Sequence, residues 1–244
     1  MTLIANELTK LRTIRGPWLM AGIQQAVIVA GVSGLAVAGA NLDTAAGVRG
    51  LLAHAGIASA IVSLILGITA VAGEYRHRSI TDTYLATPHR ARVITAKLVT
   101  YTAVAAVLGL LSAATGLVTT ALWVVARDGT LDLAGAGAGR IIPGIVAINA
   151  AYAAIGVSLG ALIRNLTGAI AVALVWIALV ETTVANLLGD LGRWLPNRAG
   201  MAVDYMPAGT VPLLPQWGAL TVLIGYTAAL VLIALNTTVR RDVT

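Results

Sequence analysis

The sequence predicts an all-α, polytopic membrane protein with six transmembrane helices, and three observations carry that prediction. Of 244 residues, 58% are hydrophobic and only 11% are charged, where an ordinary soluble domain carries about 25% charged residues. Five stretches hold no Asp, Glu, Lys or Arg: 16–42, 50–73, 98–126, 141–163 and 205–239. A sixth, 165–189, holds a single acid, Glu181. Each exceeds the ~20 apolar residues that a helix needs to cross a bilayer core about 30 Å thick.

The spans are accordingly read as 17–39, 51–73, 98–126, 141–163, 166–188 and 217–239, within one transmembrane domain covering 1–244. Ahead of them, TLIANELTKLRTIRGPW places Ile4, Leu8 and Leu11 on one helical stripe and breaks at Gly16-Pro17. Residues 1–16 thus read as an amphipathic helix lying along the inner membrane surface, with Lys10 and Arg12 reaching anionic headgroups. Glu7 and Arg15 fall within the same arc and make the amphipathicity imperfect. The basic start and the run ending Ala36-Val37-Ala38 also fit a cleaved signal peptide, but the apolar run of 17–39 is too long for an h-region. The first span is expected to be retained.

Six spans put both termini on one side, and the basic residues orient them. The N-terminal arm, the 74–97 loop, Arg164 and the tail hold 11 Lys and Arg, against 5 on the other face. Both termini and the 74–97 loop are therefore expected in the cytoplasm, in a multi-pass plasma-membrane protein. The net charge of +6 reads as orientation rather than as nucleic-acid binding. With no Cys and three His (His54, His77, His89), neither a disulfide framework nor a metal site is expected. No G-x-x-x-x-G-K-[ST] occurs, so a P-loop nucleotide site is excluded from this chain.

The connections are unequal. Arg164-Asn165 joins spans 4 and 5 and predicts a tight antiparallel hairpin. Gly135 to Gly139, GAGAG, reads as a flexible connector. Residues 190–215, with Trp194, Tyr205 and four prolines, suit either short re-entrant or interfacial helices or a mobile loop. The 74–97 loop is the most polar stretch: EYRHRSITDTYLATPHRARVITAK. Ser79 and Asp82 form a capping-box pattern and Pro88 disfavours helix at Thr87, which brackets a two-turn helix over 80–86. Ile80 and Tyr84 share one of its faces and Arg76, Arg78, Arg90 and Arg92 flank it. A docking plug and a solvated loop both fit this pattern.

Within the spans, Glu181 reads as part of a substrate path or dimer seam, or as an acid that is protonated or snorkels outward. Thr182 and Thr183 are candidates to line the same passage, with Gln25 and Asn149 as further pathway candidates. Residues such as Gln24, Gln25 and Asn149 more often glue helices together than bind cargo. Gly156-Val157-Ser158-Leu159-Gly160 matches G-x-S-x-G, but span 6 offers no His or Lys as a base. Packing through Gly156 and Gly160 is the stronger reading.

The ELTKLRT arm, the first span, GEYRHRSI, YLATPHRARV and AKL after the second, six spans and a terminal RRDV together resemble the permease subunits of ATP-binding-cassette type-2 exporters, particularly the short actinobacterial kind. The resemblance covers essentially the whole chain and is most specific over Gly73 to Lys97. It implies a homodimer forming a translocation pathway, paired with two copies of a separate ATPase subunit that holds ATP and Mg. By that likeness 79–87 is a coupling helix, with Ser79, Ile80, Asp82, Tyr84, Leu85 and Pro88, flanked by Arg76 and Arg78, meeting the ATPase. Leu8, Lys10, Leu11 and Arg12 form an N-terminal interface with it. No large external domain is inserted, so cargoes handled through such domains are not implied. No catalytic residue or cofactor is then expected in this chain, whose partners are the ATPase, a second copy and membrane lipids. Drugs, lipids and amphiphilic peptides all suit an apolar pathway. The competing classes are an intramembrane serine hydrolase using Ser158 and a secondary transporter using Glu181.

Overall fold

A computed structural model describes residues 3–77, 79, 80, 89–205 and 213–240. Helix α1 (Leu3–Thr13) leads into α2 (Arg15–Val37), α3 (Ala45–Arg76) and α4 (Arg90–Ala126). A short α5 (Leu133–Ala136) precedes α6 (Ala138–Ile163). Then come α7 (Leu166–Val175), a π-helical segment (Trp176–Glu181) and α8 (Thr182–Leu188), which together make the fifth span. A 3₁₀ turn (Gly189–Trp194) and α9 (Pro196–Val203) follow, and α10 (Gln216–Arg240) closes the chain. No strand occurs among the described residues. Six helices are long and apolar enough to cross a membrane, as the composition predicts.

The second and fourth spans, α3 and α6, form the centre. Two thirds (67%) of the apolar window in each is buried, against 22% in the first, fifth and sixth spans. Lipid is as apolar as leucine, so helices in a bilayer gain little from hiding apolar side chains from it and depend on close packing and polar contacts. Glycine supplies the close packing. A Cβ added at Gly67 of α3 would strike the Ala153 carbonyl of α6, and one at Gly156 of α6 would strike the Leu64 carbonyl of α3. At Gly160 the nearest atom would be the Ile68 carbonyl oxygen at 2.8 Å. Ser158, between these glycines, donates from Oγ to the Ala154 carbonyl of its own helix (2.9 Å) and is buried. The G-x-S-x-G stretch is thus a packing seam.

Polar side chains add the second contribution. Asn149 of α6 accepts from Ser63 Oγ (2.6 Å) and donates to Ser59 Oγ (2.8 Å) and to the Ile145 carbonyl (2.8 Å). Gln24 of α2 donates to Ser112 Oγ of α4 (2.8 Å), and Thr115 of α4 donates to Gln25 Oε1 (2.7 Å). Asn149 and Gln24 are wholly buried. Asn149 and Gln25, also named as pathway candidates, thus have side chains that join α6 to α3 and α2 to α4, in keeping with the gluing role.

One connection departs from expectation and one matches it. The GAGAG stretch is an ordered turn rather than a loose connector. Asp132 caps α5 by accepting from the Gly135 amide (2.8 Å), Ala136 is buried, and Arg49 donates to the Ala136 and Gly135 carbonyls (3.0 and 3.1 Å). An arginine that satisfies the last carbonyls of a helix fixes its end. Gly137, at φ +81°, then reverses the chain into α6. At the other end, Arg164 (φ +55°) and Asn165, which accepts from the Gly168 amide (2.9 Å), make the expected two-residue connection between the fourth and fifth spans.

Gly156→Val would drive a branched side chain into α3 backbone that cannot yield. The expected outcome is a loss of about 3 kcal/mol or more, read as loss of the monodisperse folded species in detergent, while Ser158→Ala at the neighbouring position stays within about 1 kcal/mol.

Candidate functional site

Two assemblies of charge and space stand out, one at an end of the bundle and one among its spans. At the end holding α1, four side chains form a closed ring of opposite charges. Lys97, at the start of the third span, is 1% exposed and donates to Glu7 Oε2 (2.9 Å) and Glu74 Oε1 (2.7 Å). Lys10 donates to Glu7 Oε1 (2.9 Å) and to the same Glu74 Oε1 (2.7 Å). Burial alone would lower the Lys10 pKa, but the hydrogen bonds to Glu7 and Glu74, and their charges, outweigh it and raise the pKa above the ordinary lysine value. Each acid meets two cations and each cation two acids, which is the arrangement that lets buried charges tolerate leaving water.

This ring sets the rotation of α1. The buried residues are Glu7 and Leu11, one turn apart, whereas Ile4 and Leu8 are exposed. Lys10, read as reaching headgroups, is half-buried and paired with Glu7 and Glu74, while Arg12 is exposed. Glu7, the residue that spoiled the amphipathic pattern, is the one that docks the helix. The same ring brings together α1, the end of α3 and the start of α4, so α1 and both ends of the 74–97 loop lie at one end of the bundle. Arg164 stacks over the Tyr75 ring (5.6 Å) at that end as well.

Of the loop itself, Arg78, Asp82, Tyr84, Leu85 and Pro88 lie outside the described residues. Arg76 is exposed at the end of α3, and Ser79 lies in a turn. Ile80, read as an apolar knob facing a partner, is 3% exposed. Its side chain is packed within this chain, and the knob reading is corrected for that residue.

The other assembly surrounds Glu181. An i→i+5 turn is wider than an α-turn, and the π-helical Trp176–Glu181 segment keeps Ala173, Ile177 and Glu181, each four residues apart, on one face. That face borders a cavity of about 320 Å³. Leu64, Tyr152, Ile155 and Leu159 close it from the centre of the bundle, Pro196 from α9, and Tyr226 and Leu230 from α10. Val172, Trp176 and Tyr226 are partly exposed at its rim, so it opens sideways between the fifth and sixth spans. Compared with known proteins, the chain matches no family model and no curated protein.

Glu181 itself is 2% exposed, so it does not snorkel. Its Oε1 accepts from the Asn197 amide (2.7 Å) in the first turn of α9, where Pro196 at the start of the helix has no N–H of its own. A carboxylate from one helix thus serves as N-terminal cap for another, at the positive end of its dipole. Because a Cβ added at Gly200 would meet Ile148 and one at Gly144 would meet the Val203 carbonyl, α9 runs beside α6 from about 9 to about 15 Å below the start of that helix. The 190–215 segment therefore includes a re-entrant helix, one of the two readings the prolines allowed. Thr182 and Thr183, read as lining Glu181's passage, are exposed on other faces and do not border the cavity. Positions one and two beyond Glu181 are turned about 100° and 200° from it around a helix, so they face elsewhere.

Sequence reasoning missed Asp204 altogether. It sits at the end of α9, wholly buried, with neither carboxylate oxygen hydrogen-bonded among the described residues. It presses on Gly56 of α3, where a Cβ would collide with it. Burial without a partner pushes the Asp204 carboxyl well above the usual carboxylate range. No pattern of spacing marks it, because its environment is assembled from α3 and α6.

Two outcomes follow. Lys97→Met strands Glu7 and Glu74 beside one remaining cation, and is expected to cost about 3–5 kcal/mol; the triple variant Glu7→Gln, Glu74→Gln, Lys97→Met is expected to recover most of it in thermal unfolding. For Asp204, the folded chain holds its proton more tightly than the unfolded one, so stability declines as pH rises above about 4, by up to about 1.4 kcal/mol per unit until the folded carboxyl ionises. Asp204→Asn lacks that slope, and its advantage in unfolding temperature over the parent should widen from pH 5 to pH 8.

Proposed function

We propose that this chain is the transmembrane subunit of an ATP-driven exporter of the ATP-binding-cassette type-2 kind, working as a homodimer with a separate ATPase subunit. The observation that supports this reading best is the ring of Glu7, Lys10, Glu74 and Lys97. An ATPase gripping the N-terminal helix and the 74–97 loop would grip elements that buried ion pairs fasten to the second and third spans. Movement of either element then reaches the bundle without slack, because displacing one charge would strand the others in a poorly solvated site. A groove of about 440 Å³ between α1 and the base of the third span, bordered by Ile4, Arg92 and Thr95, adjoins this end.

The cavity beside Glu181 is the natural site for cargo on this reading. It lies among spans, is walled by apolar and aromatic side chains, and opens laterally, which suits cargo arriving from lipid. The serine-hydrolase alternative loses support, since Ser158 Oγ is committed to its own helix and packed against α3.

Co-expression of the full chain with a Walker-containing ATPase encoded beside it is the direct test. The isolated chain is expected to lack ATPase activity, the complex to hydrolyse ATP, and Tyr84→Ala to lower cargo export at least about tenfold while assembly persists. A chain that never co-purifies with such an ATPase, yet transports on a proton gradient in vesicles, would sink this reading in favour of a secondary transporter.

A further inference from the structure

The cavity beside Glu181 carries a chemical preference of its own. Glu181 is the one charged residue on its wall, and the remaining lining is aliphatic or aromatic, with Tyr152, Trp176 and Tyr226 contributing rings. One carboxylate oxygen is engaged by the Asn197 amide. The other, Oε2, is buried and has no hydrogen-bond partner among the described residues. A buried acceptor in that condition is costly, and a ligand that supplies positive charge relieves the cost. Neither an anion nor an alkane does so. Ring faces attract cations through their quadrupoles, and apolar walls favour a hydrocarbon body over a hydrated ion.

The volume of about 320 Å³ lies at the low end of the roughly 300–1,000 Å³ range of small-molecule sites, which sets an upper bound on size. The lateral opening between the fifth and sixth spans admits a ligand that partitions into lipid. Arg198 of α9 is near enough for its charge to act on Glu181, and it offsets part of the carboxylate's attraction.

We propose that this cavity binds a small hydrophobic organic cation, a quaternary or protonated amine with an aromatic or branched-alkyl body, whose charge is countered by Glu181 Oε2. Binding stands on the cavity alone, whereas a role for that cation as exported cargo rests on the exporter reading above.

The test is equilibrium binding of tritiated benzyltriethylammonium to the full chain in phosphatidylcholine nanodiscs at pH 8. Saturable binding of one cation per chain is expected, displaced by the unlabelled cation and not by benzenesulfonate or neutral tert-butylbenzene. Glu181→Gln should weaken it by about tenfold or more. Because that variant also alters the cap of α9, two others leave the Glu181–Asn197 bond intact: Tyr226→Leu, expected to weaken binding about threefold, and Arg198→Gln, expected to tighten it. Absence of saturable binding, equal displacement by the anion or the neutral compound, or a loss confined to Glu181→Gln with the other two variants silent would each overturn the proposal. ATPase co-purification from the same cells separates the two readings. Cation binding without an ATPase partner retains the site and removes its role in export, and ATPase assembly without cation binding overturns the site and leaves the exporter reading standing.

Discussion

The close approach of α3 and α6 is the constraint on which the rest of the structure depends. Gly67, Gly156 and Gly160 let two backbones meet where a single Cβ would collide, and this contact fixes the relative depth and rotation of the two central spans. Around it the packing is progressively looser, and the outer spans expose much of their surface. In lipid such a gradient follows from physics: helices that meet backbone to backbone gain dispersion contacts that lipid cannot replace, whereas helices covered by leucine and valine lose little by facing acyl chains. The hydrogen bonds of Asn149 to Ser59 and Ser63 then pin the register along the same seam.

At the two ends of the bundle, charge does what glycine does at its centre. The Glu7–Lys10–Glu74–Lys97 ring joins a helix outside the spans to two of the spans themselves. Nearer mid-bundle the Glu181 carboxylate holds the tip of α9, and at the opposite end Arg49 and Arg127 donate to carbonyls at the ends of α5 and α2. Arginines on that face thus have local work as helix caps, whatever they also contribute to orientation. The result is a stiff centre with two fastened ends, and a fifth and sixth span that flank a lateral cavity. On the exporter reading, stiffness belongs where force enters and looseness where cargo does, and the division between tight and loose helices matches that requirement.

The cavity also shows how an acid persists at membrane depth. Glu181 is half satisfied: among the described residues one oxygen has an amide donor and the other does not. A structural cap needs only the first. Asp204, by contrast, is wholly buried with no partner for either oxygen among the described residues, which suits a neutral packing group rather than a counter-charge. Two carboxyls on neighbouring elements are thereby assigned opposite roles by their surroundings.

The sequence by itself determined the fold class, the number of spans, the N-terminal helix, the two-residue connection at Arg164-Asn165 and the packing role of Gly156 and Gly160. All of these follow from composition, run length and local chain chemistry, quantities that need no knowledge of a neighbour. Tertiary structure alone decided which face of α1 is buried, because the partners of Glu7 and Lys10 lie 64 to 90 residues away on α3 and α4. It decided that Ile80 turns inward and that Asn149 joins helices. It also decided that Glu181 faces a cavity, since the other walls come from α3, α6, α9 and α10, which the local sequence around Glu181 does not specify. Glu7 illustrates the physical reason: a charge on an apolar stripe is a defect when judged along one helix, and becomes the strongest contact of that helix once two lysines and a second acid fold around it.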